Sequence, residues 1–239
     1  MFWLFFLIFV LALIAADLYI TSRKGRISFG ESLTWTLIWI ASALLFNIAI
    51  IWIYDNNLID SNLRNGKEAA VLFFTGYLLE KFLSLDNVFM IALIFSYFKV
   101  PAKLQHRVLF WGVIGAIFFR FVMIVGGAAL LNQFFWMTYV FGALLIMTAI
   151  RMLIFTTDGL KLENNPVILL VKKYFPVTKE YSDRAFTIKK KGKLWVTPLL
   201  LALIAVETND VIVAINSIPA IFAITTDPFI VFTSNVFAI

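Results

Sequence analysis

Apolar residues in this chain come in long runs with few interruptions, not in alternation. The runs are Phe2–Ile20, Leu33–Ile53, Ala69–Phe98, Val108–Leu131, Phe135–Phe155 and Leu194–Ile218, separated by polar stretches. At about 1.5 Å per residue, about 20 helical residues cross a hydrocarbon core of about 30 Å, so each run predicts a membrane-spanning helix. Asp227 and Pro228 open a seventh that the sequence cuts off at Ile239, too short to cross as it stands. The fold expected is an all-α polytopic membrane helix bundle of about seven spans, the last truncated. It forms a single domain over residues 1–239 that is C-terminally incomplete. Ala69–Phe98 is longer than a span requires, so it is expected to tilt, kink or break at its central polar cluster. Pro219 is expected to interrupt the sixth run, freeing the carbonyl near position 215.

The polar stretches set an orientation. Lys and Arg number three in the first loop, two in the second, three in the third, none in the fourth and ten from Arg151 to Lys193. By the excess of positive charge on cytoplasmic loops, the odd loops are cytoplasmic and the N-terminus is outside. The long hydrophilic segment 156–193 is then a basic cytoplasmic loop. Its residues Asn164–Thr178 read as a short amphipathic stretch, and Lys189–Lys193 as a flank near anionic lipid. The first run is followed by Arg23, Lys24 and Arg26, the reverse of a signal peptide's order, which predicts an uncleaved first span.

Composition narrows the chemistry. The 239 residues are 62% hydrophobic and 14% charged, with a mean hydropathy of +0.94, well outside the range of soluble domains. With no cysteine and one histidine (His106, in a loop), neither a thiolate site nor a multi-histidine zinc site can be built. The net charge of +6 lies in loops, which argues for membrane orientation and against nucleic acid.

Against that background, charges inside the runs stand out. A carboxylate at the centre of a spanning helix costs roughly 2.5–3.5 kcal/mol on insertion scales, so it is seldom kept without a role. Glu80 and Asp86 lie in the third run, Glu207 and Asp210 in the sixth. Glu207 and Asp210, three apart, share a helix face, as do Glu80, Ser84 and Asn87. These acids, with Asn87 and Asn216, form an oxygen-only ligand set that favours Mn²⁺, Mg²⁺ or Ca²⁺. Ser84, Lys81, Arg120, Asp17, Asn47, Ser217 and Asn235 are supporting polar or ion-pair candidates. A structural alternative stays open: Glu80 pairs with Lys81, or Arg120 pairs with one of the acids. One arginine and one lysine cannot neutralise four ionised carboxylates, so a cation or protons must supply the remainder. SLDNVFMIAL (Ser84–Leu93) and TNDVIVAI (Thr208–Ile215) hint at an inverted repeat around a midplane site.

GYLLEKFLSLDNVF (Gly76–Phe89), FSYFKVP (Phe95–Pro101) and SIPAIFAITTDPFIVFTSNVFAI (Ser217–Ile239) resemble signatures of the TerC family of integral membrane proteins, its Alx branch in particular. The resemblance covers nearly the whole chain. It implies a multi-span protein linked to tellurium resistance by name and to Mn²⁺ export by function, with the family's acids at Glu80, Asp86, Glu207 and Asp210. It also implies about two more spans beyond Ile239. The family pattern is similar to VExSDVIFAVDSIPA, whereas this chain has Asn209 for the hydroxyl and Asn216 for an aspartate. The expected function is divalent metal export, most simply of Mn²⁺, across a bacterial inner membrane. Metal is cargo there and not a resident cofactor, and the protein is not an enzyme. The alternative is a non-transporting assembly factor for secretion or metal loading of exported proteins, docking through the 157–193 loop. The partners expected are a divalent cation and the lipid bilayer.

Overall fold

The computed structural model describes residues 6, 8–10, 12, 13, 29–59, 61, 63, 65–154, 165–178, 180–182, 185–190 and 192–239. The chain is mostly helical. Helix α1 runs Phe29–Asp55, α2 Gly66–Tyr97, α3 Ala102–Gln133, α4 Met137–Ile154, α5 Pro166–Tyr174, α6 Pro198–Phe222 and α7 Pro228–Ala238. Strands β1 (Thr187–Lys190) and β2 (Lys193–Val196) form an antiparallel hairpin between α5 and α6. From the N-terminal run, Phe6 and Val10 are helical and buried, and the Phe6 ring packs against Phe46, Phe229, Phe232 and Phe237.

Among the described residues, three helices are long and apolar enough to cross a membrane: Leu33–Asp55 within α1, then α3, then α6. Helix α2 has the length but carries Glu80, Lys81 and Asp86. Met137–Ile150 and α7 are shorter apolar helices. The termini carry recognisable caps. Asn65 accepts from Glu68 N to start α2, Asn165 from Val167 N and Ile168 N to start α5, and Asp227 from Phe229 N and Ile230 N to start α7. Pro166, Pro198 and Pro228 each stand in a first turn, where the missing N–H costs nothing.

Four sequence expectations are corrected. Of the tilt, kink or break expected of the third run, the break is ruled out: α2 is continuous over 32 residues. Glu80, Ser84 and Asn87 recur at helical spacing along one face, so all three meet the same interior without unwinding. Helix α6 likewise runs through Pro219, whose surroundings Ser217, Ile218, Ile221 and Phe222 are buried and hold the backbone in place. Residues 102–107, His106 among them, are the first turns of α3 and not a loop. Leu194–Val196 belong to β2, and α6 begins only at Pro198.

The 165–197 segment is folded where it is described. Tyr181 Oη donates to the Phe98 carbonyl at 2.7 Å, and Arg107 lies over the Phe186 ring. Thr197 Oγ1 donates to the carbonyls of Ala185 and Phe186, both at 2.9 Å. Burial pushes the Tyr181 phenol above its ordinary pKa, so it stays a donor throughout the physiological range. The segment is thereby docked on the α2–α3 turn, and Ile168 of amphipathic α5 is buried beneath it.

Packing joins α2 to α1, α6 and α7, and α3 to α6 and α7. Two apolar clusters form. One gathers Ile50, Phe73, Tyr77, Ile124, Phe222 and Phe232; the other gathers Ile94, Leu104, Val108, Ile168, Leu199 and Ala202. On α2 the first cluster ends at Tyr77 and the second begins at Ile94; on α6 they meet between Val206 and Ala214. Glu80, Ser84 and Asn87 of α2 and Glu207, Asn209 and Asp210 of α6 fall in that gap, midway along the bundle.

The α1–α2 packing is tight at Gly66, where a Cβ would overlap the main chain of Ile51, whereas nothing lies within 4 Å of the position a Cβ would take at Gly126. Gly66→Ala should therefore lower the thermal midpoint in detergent, at a cost of about 1–3 kcal/mol. Gly126→Ala should leave it unchanged or slightly raised by helix propensity. Equal midpoints for the two variants would contradict this packing.

Candidate functional site

On α2, Phe73 and Tyr77 are followed at spacings of three and four by Glu80, Ser84 and Asn87, so an aromatic stripe becomes a polar one on the same inward face. On α3, Ile117 and Ile124 flank Arg120 at the same spacings and are buried, which turns Arg120 into the interior. Small residues one and two turns earlier, Ala116 and Gly112, let α6 approach, with Val206 against Gly112.

Arg120 is 1% exposed and gathers groups from three other helices. Its Nη1 donates to Glu80 Oε1 on α2 and to Asn235 Oδ1 on α7, the latter at 2.6 Å. Its Nη2 donates to Asp210 Oδ1 on α6 at 3.1 Å, with Nε 3.5 Å from Asp210 Oδ2. Glu80 is fully buried and the Asp210 side chain is 14% exposed. Asn235 Nδ2 donates to the Val231 carbonyl at 3.0 Å, which fixes the amide with its oxygen toward the guanidinium.

A cavity of about 190 Å³ opens beside this cluster, its polar lining made by Ser84, Asn87, Arg120, Asn209 and Asp210. Asn209 Nδ2 donates to Asn87 Oδ1 across it at 3.0 Å. Glu80 Oε2, Ser84 Oγ and Glu207 Oε2 are buried with no hydrogen-bond partner among the described residues. The Glu207 carboxylate is pressed against Gly115 of α3, where any Cβ would collide with its oxygens.

The sequence-predicted residues thus divide. Arg120 brings together Glu80, Asp210 and Asn235, and the cavity joins Ser84 and Asn87 to them. Glu207 faces Gly115, one turn from Asp210. Lys81 does not reach Glu80's partners: its Nζ donates to the Ala238 carbonyl at 3.3 Å. Asn216 is exposed and accepts from Thr148 of α4 at 3.2 Å. Buried Ser217 Oγ and Asn47 Oδ1 have no hydrogen-bond partner among the described residues, and Asn47 lies on α1. Asp17 and the Asp86 side chain lie outside the described residues. Among the described residues no three His, Cys, Asp or Glu side chains converge as a ready metal site: the third partner of the cluster is an amide and its centre a guanidinium. Sequence reasoning missed Asn209 as a cavity residue and Gly115 as the seat of Glu207. The signal for the second was the small-residue spacing of Gly112, Gly115 and Ala116.

Because Asn235 is fully buried and its oxygen serves the guanidinium, Asn235→Leu should strip one acceptor from Arg120 and cost about 1–3 kcal/mol. The check is the unfolding midpoint in detergent, and no change would mean that the bond contributes nothing.

Comparison with known proteins places the chain. The family model described as "Integral membrane protein TerC family" matches residues 65–239. An "Uncharacterized membrane protein STKORF319" of Myxococcus xanthus is 42% identical over 238 residues, covering 99% of this chain and 71% of the relative. Proteins of Photorhabdus laumondii and Escherichia coli K12 named "Putative membrane-bound redox modulator Alx" are each 43% identical, covering 99% of this chain and 74% of theirs. No solved structure matches. The family match spans most of the chain and all the helices that build the Arg120 cluster: the chain belongs to the TerC family of integral membrane proteins.

Proposed function

We propose that this protein exports divalent cations across the bacterial inner membrane, Mn²⁺ foremost, through the cluster at Arg120. The observation that carries the reading is the convergence of two carboxylates and one amide oxygen, from three helices, beside a polar cavity midway along the bundle. Hard oxygen ligands suit Mn²⁺, Mg²⁺ and Ca²⁺. Charge supports it too: Glu80 and Asp210 share one arginine and Glu207 lies one turn away against Gly115, an excess of carboxylate that a cation or protons would relieve.

On the orientation that the loop charges favour, with seven spans and the N-terminus outside, the α2–α3 turn and the 165–197 segment would face the cytoplasm. The cavity lies on that side of Arg120, between it and the Ile94–Leu104 cluster, which suits uptake of a cytoplasmic ion. Asn216 sits with Thr148 and not with Arg120, so its exchange for the aspartate of the family pattern leaves the central oxygen set intact. The relatives' redox wording fits an effect exerted through a redox-active metal ion. The link to tellurium resistance belongs to the same reading of metal and metalloid tolerance.

The test is intracellular manganese under Mn²⁺ challenge in an exporter-deficient bacterium. The parent protein should lower it, and Asp210→Asn and Glu80→Gln at matched membrane abundance should not. Loss of one carboxylate ligand should weaken cation affinity about tenfold or more, about 1.4 kcal/mol per decade. Manganese levels that are the same with the parent, the variants and an empty vector would overturn the export reading.

A further inference from the structure

We propose that Arg120 is a tethered counter-cation that fills the carboxylate site between transport events, and that the entering divalent ion must displace it. This rests on the export reading and concerns how the same site is emptied and filled.

The geometry around the guanidinium is lopsided. On one side Arg120 Nη1 is held closely by fully buried Glu80 and by Asn235 at 2.6 Å. On the other, Asp210 sits at 3.1 and 3.5 Å and keeps 14% exposure. The cavity opens on the looser side, for Asp210 and Arg120 line it. An ion arriving through the cavity meets Asp210 first and competes there for the weaker contacts.

The oxygens behind the guanidinium are those a divalent ion needs. Both oxygens of Glu80, both of Asp210 and Oδ1 of Asn235 make five, and Mn²⁺ prefers six oxygen ligands, leaving one position for water. Glu80 Oε2 already lies buried without a partner among the described residues, a ligand atom that the arginine does not use. The displaced guanidinium has somewhere to go: Ser84 Oγ, also unpartnered among the described residues, and the Asn87–Asn209 amides form the cavity wall.

Arginine suits the task because it does not lose its proton in a protein. A lysine or histidine could leave by deprotonation. Arg120 can leave only by moving, so the site is never empty of positive charge and the carboxylates never face the membrane interior uncompensated. A tethered competitor also weakens binding, which favours release of the cargo.

The experiment is Mn²⁺ titration calorimetry on the purified full chain in detergent, comparing the parent with Arg120→Ala and Arg120→Lys. Arg120→Ala should bind Mn²⁺ about tenfold more tightly or better, since a unit charge a few ångströms away is removed. Guanidinium chloride at sub-denaturing concentration should then compete with Mn²⁺ in Arg120→Ala, restoring parent-like weak binding. In the parent it should have no effect beyond ionic strength. Arg120→Lys should lie between. Monodisperse Arg120→Ala that binds Mn²⁺ as the parent does, or more weakly, overturns the exchange while leaving export standing. No divalent binding by the parent or by either variant overturns the export reading itself. If neither variant yields monodisperse protein, with or without guanidinium, the arginine is a structural tie and the exchange is overturned.

Discussion

Taking one guanidinium and two carboxylates out of water costs several kcal/mol per ion, and their mutual attraction repays this only when every remaining donor and acceptor is met. That constraint shapes the middle of this protein. Arg120 projects from α3 and must find its partners on other helices, so α2, α6 and α7 are placed by where Glu80, Asp210 and Asn235 have to be. Apolar packing above and below is non-directional and tolerates sliding. The charged layer does not, because a shift of one residue along any of the four helices would strand a buried charge.

The same layer accounts for the chemistry. A structural ion pair alone would be balanced, with every oxygen used. Here one oxygen of Glu80 and one of Glu207 are unmet among the described residues, and a polar cavity reaches Asp210. Glu207 gains its close seat only because position 115 is glycine, so the α3–α6 crossing and the placement of the acid are one feature. A bundle that needed the charges only for register would gain nothing from leaving these oxygens open. Stability and the proposed transport therefore draw on the same residues, which is why substitutions there are expected to affect both.

Much of this was legible in the residues. Long apolar runs located the helices, and the acids at Glu80, Glu207 and Asp210 marked the centre, because charge is costly where everything around it is apolar. The alternative that paired Arg120 with an acid was written in the sequence as well. What could not be read was convergence: no spacing rule says that Arg120 reaches three helices at once, or that Asn235 is held by the Val231 carbonyl so as to offer its oxygen. Of the tilt, kink or break expected at the α2 polar cluster, the break did not occur, and Pro219 did not interrupt α6, since tertiary packing overrides a local preference when its neighbours are buried. The β1–β2 hairpin was missed because Leu194–Val196 continues smoothly into the apolar run of α6, and only pairing with Thr187–Lys189 separates them.

The most direct test of the central claim is a double-mutant cycle between Arg120→Gln and Asp210→Asn, read as unfolding free energy in detergent. If the ion pair organises the bundle, Arg120→Gln leaves Asp210 without its counter-charge and Asp210→Asn leaves Arg120 with Glu80 as its one carboxylate, and the double variant is more stable than their sum predicts, with a coupling of about 1–3 kcal/mol. A coupling of zero would contradict the account: it would mean that Arg120 and Asp210 lie near each other without holding each other.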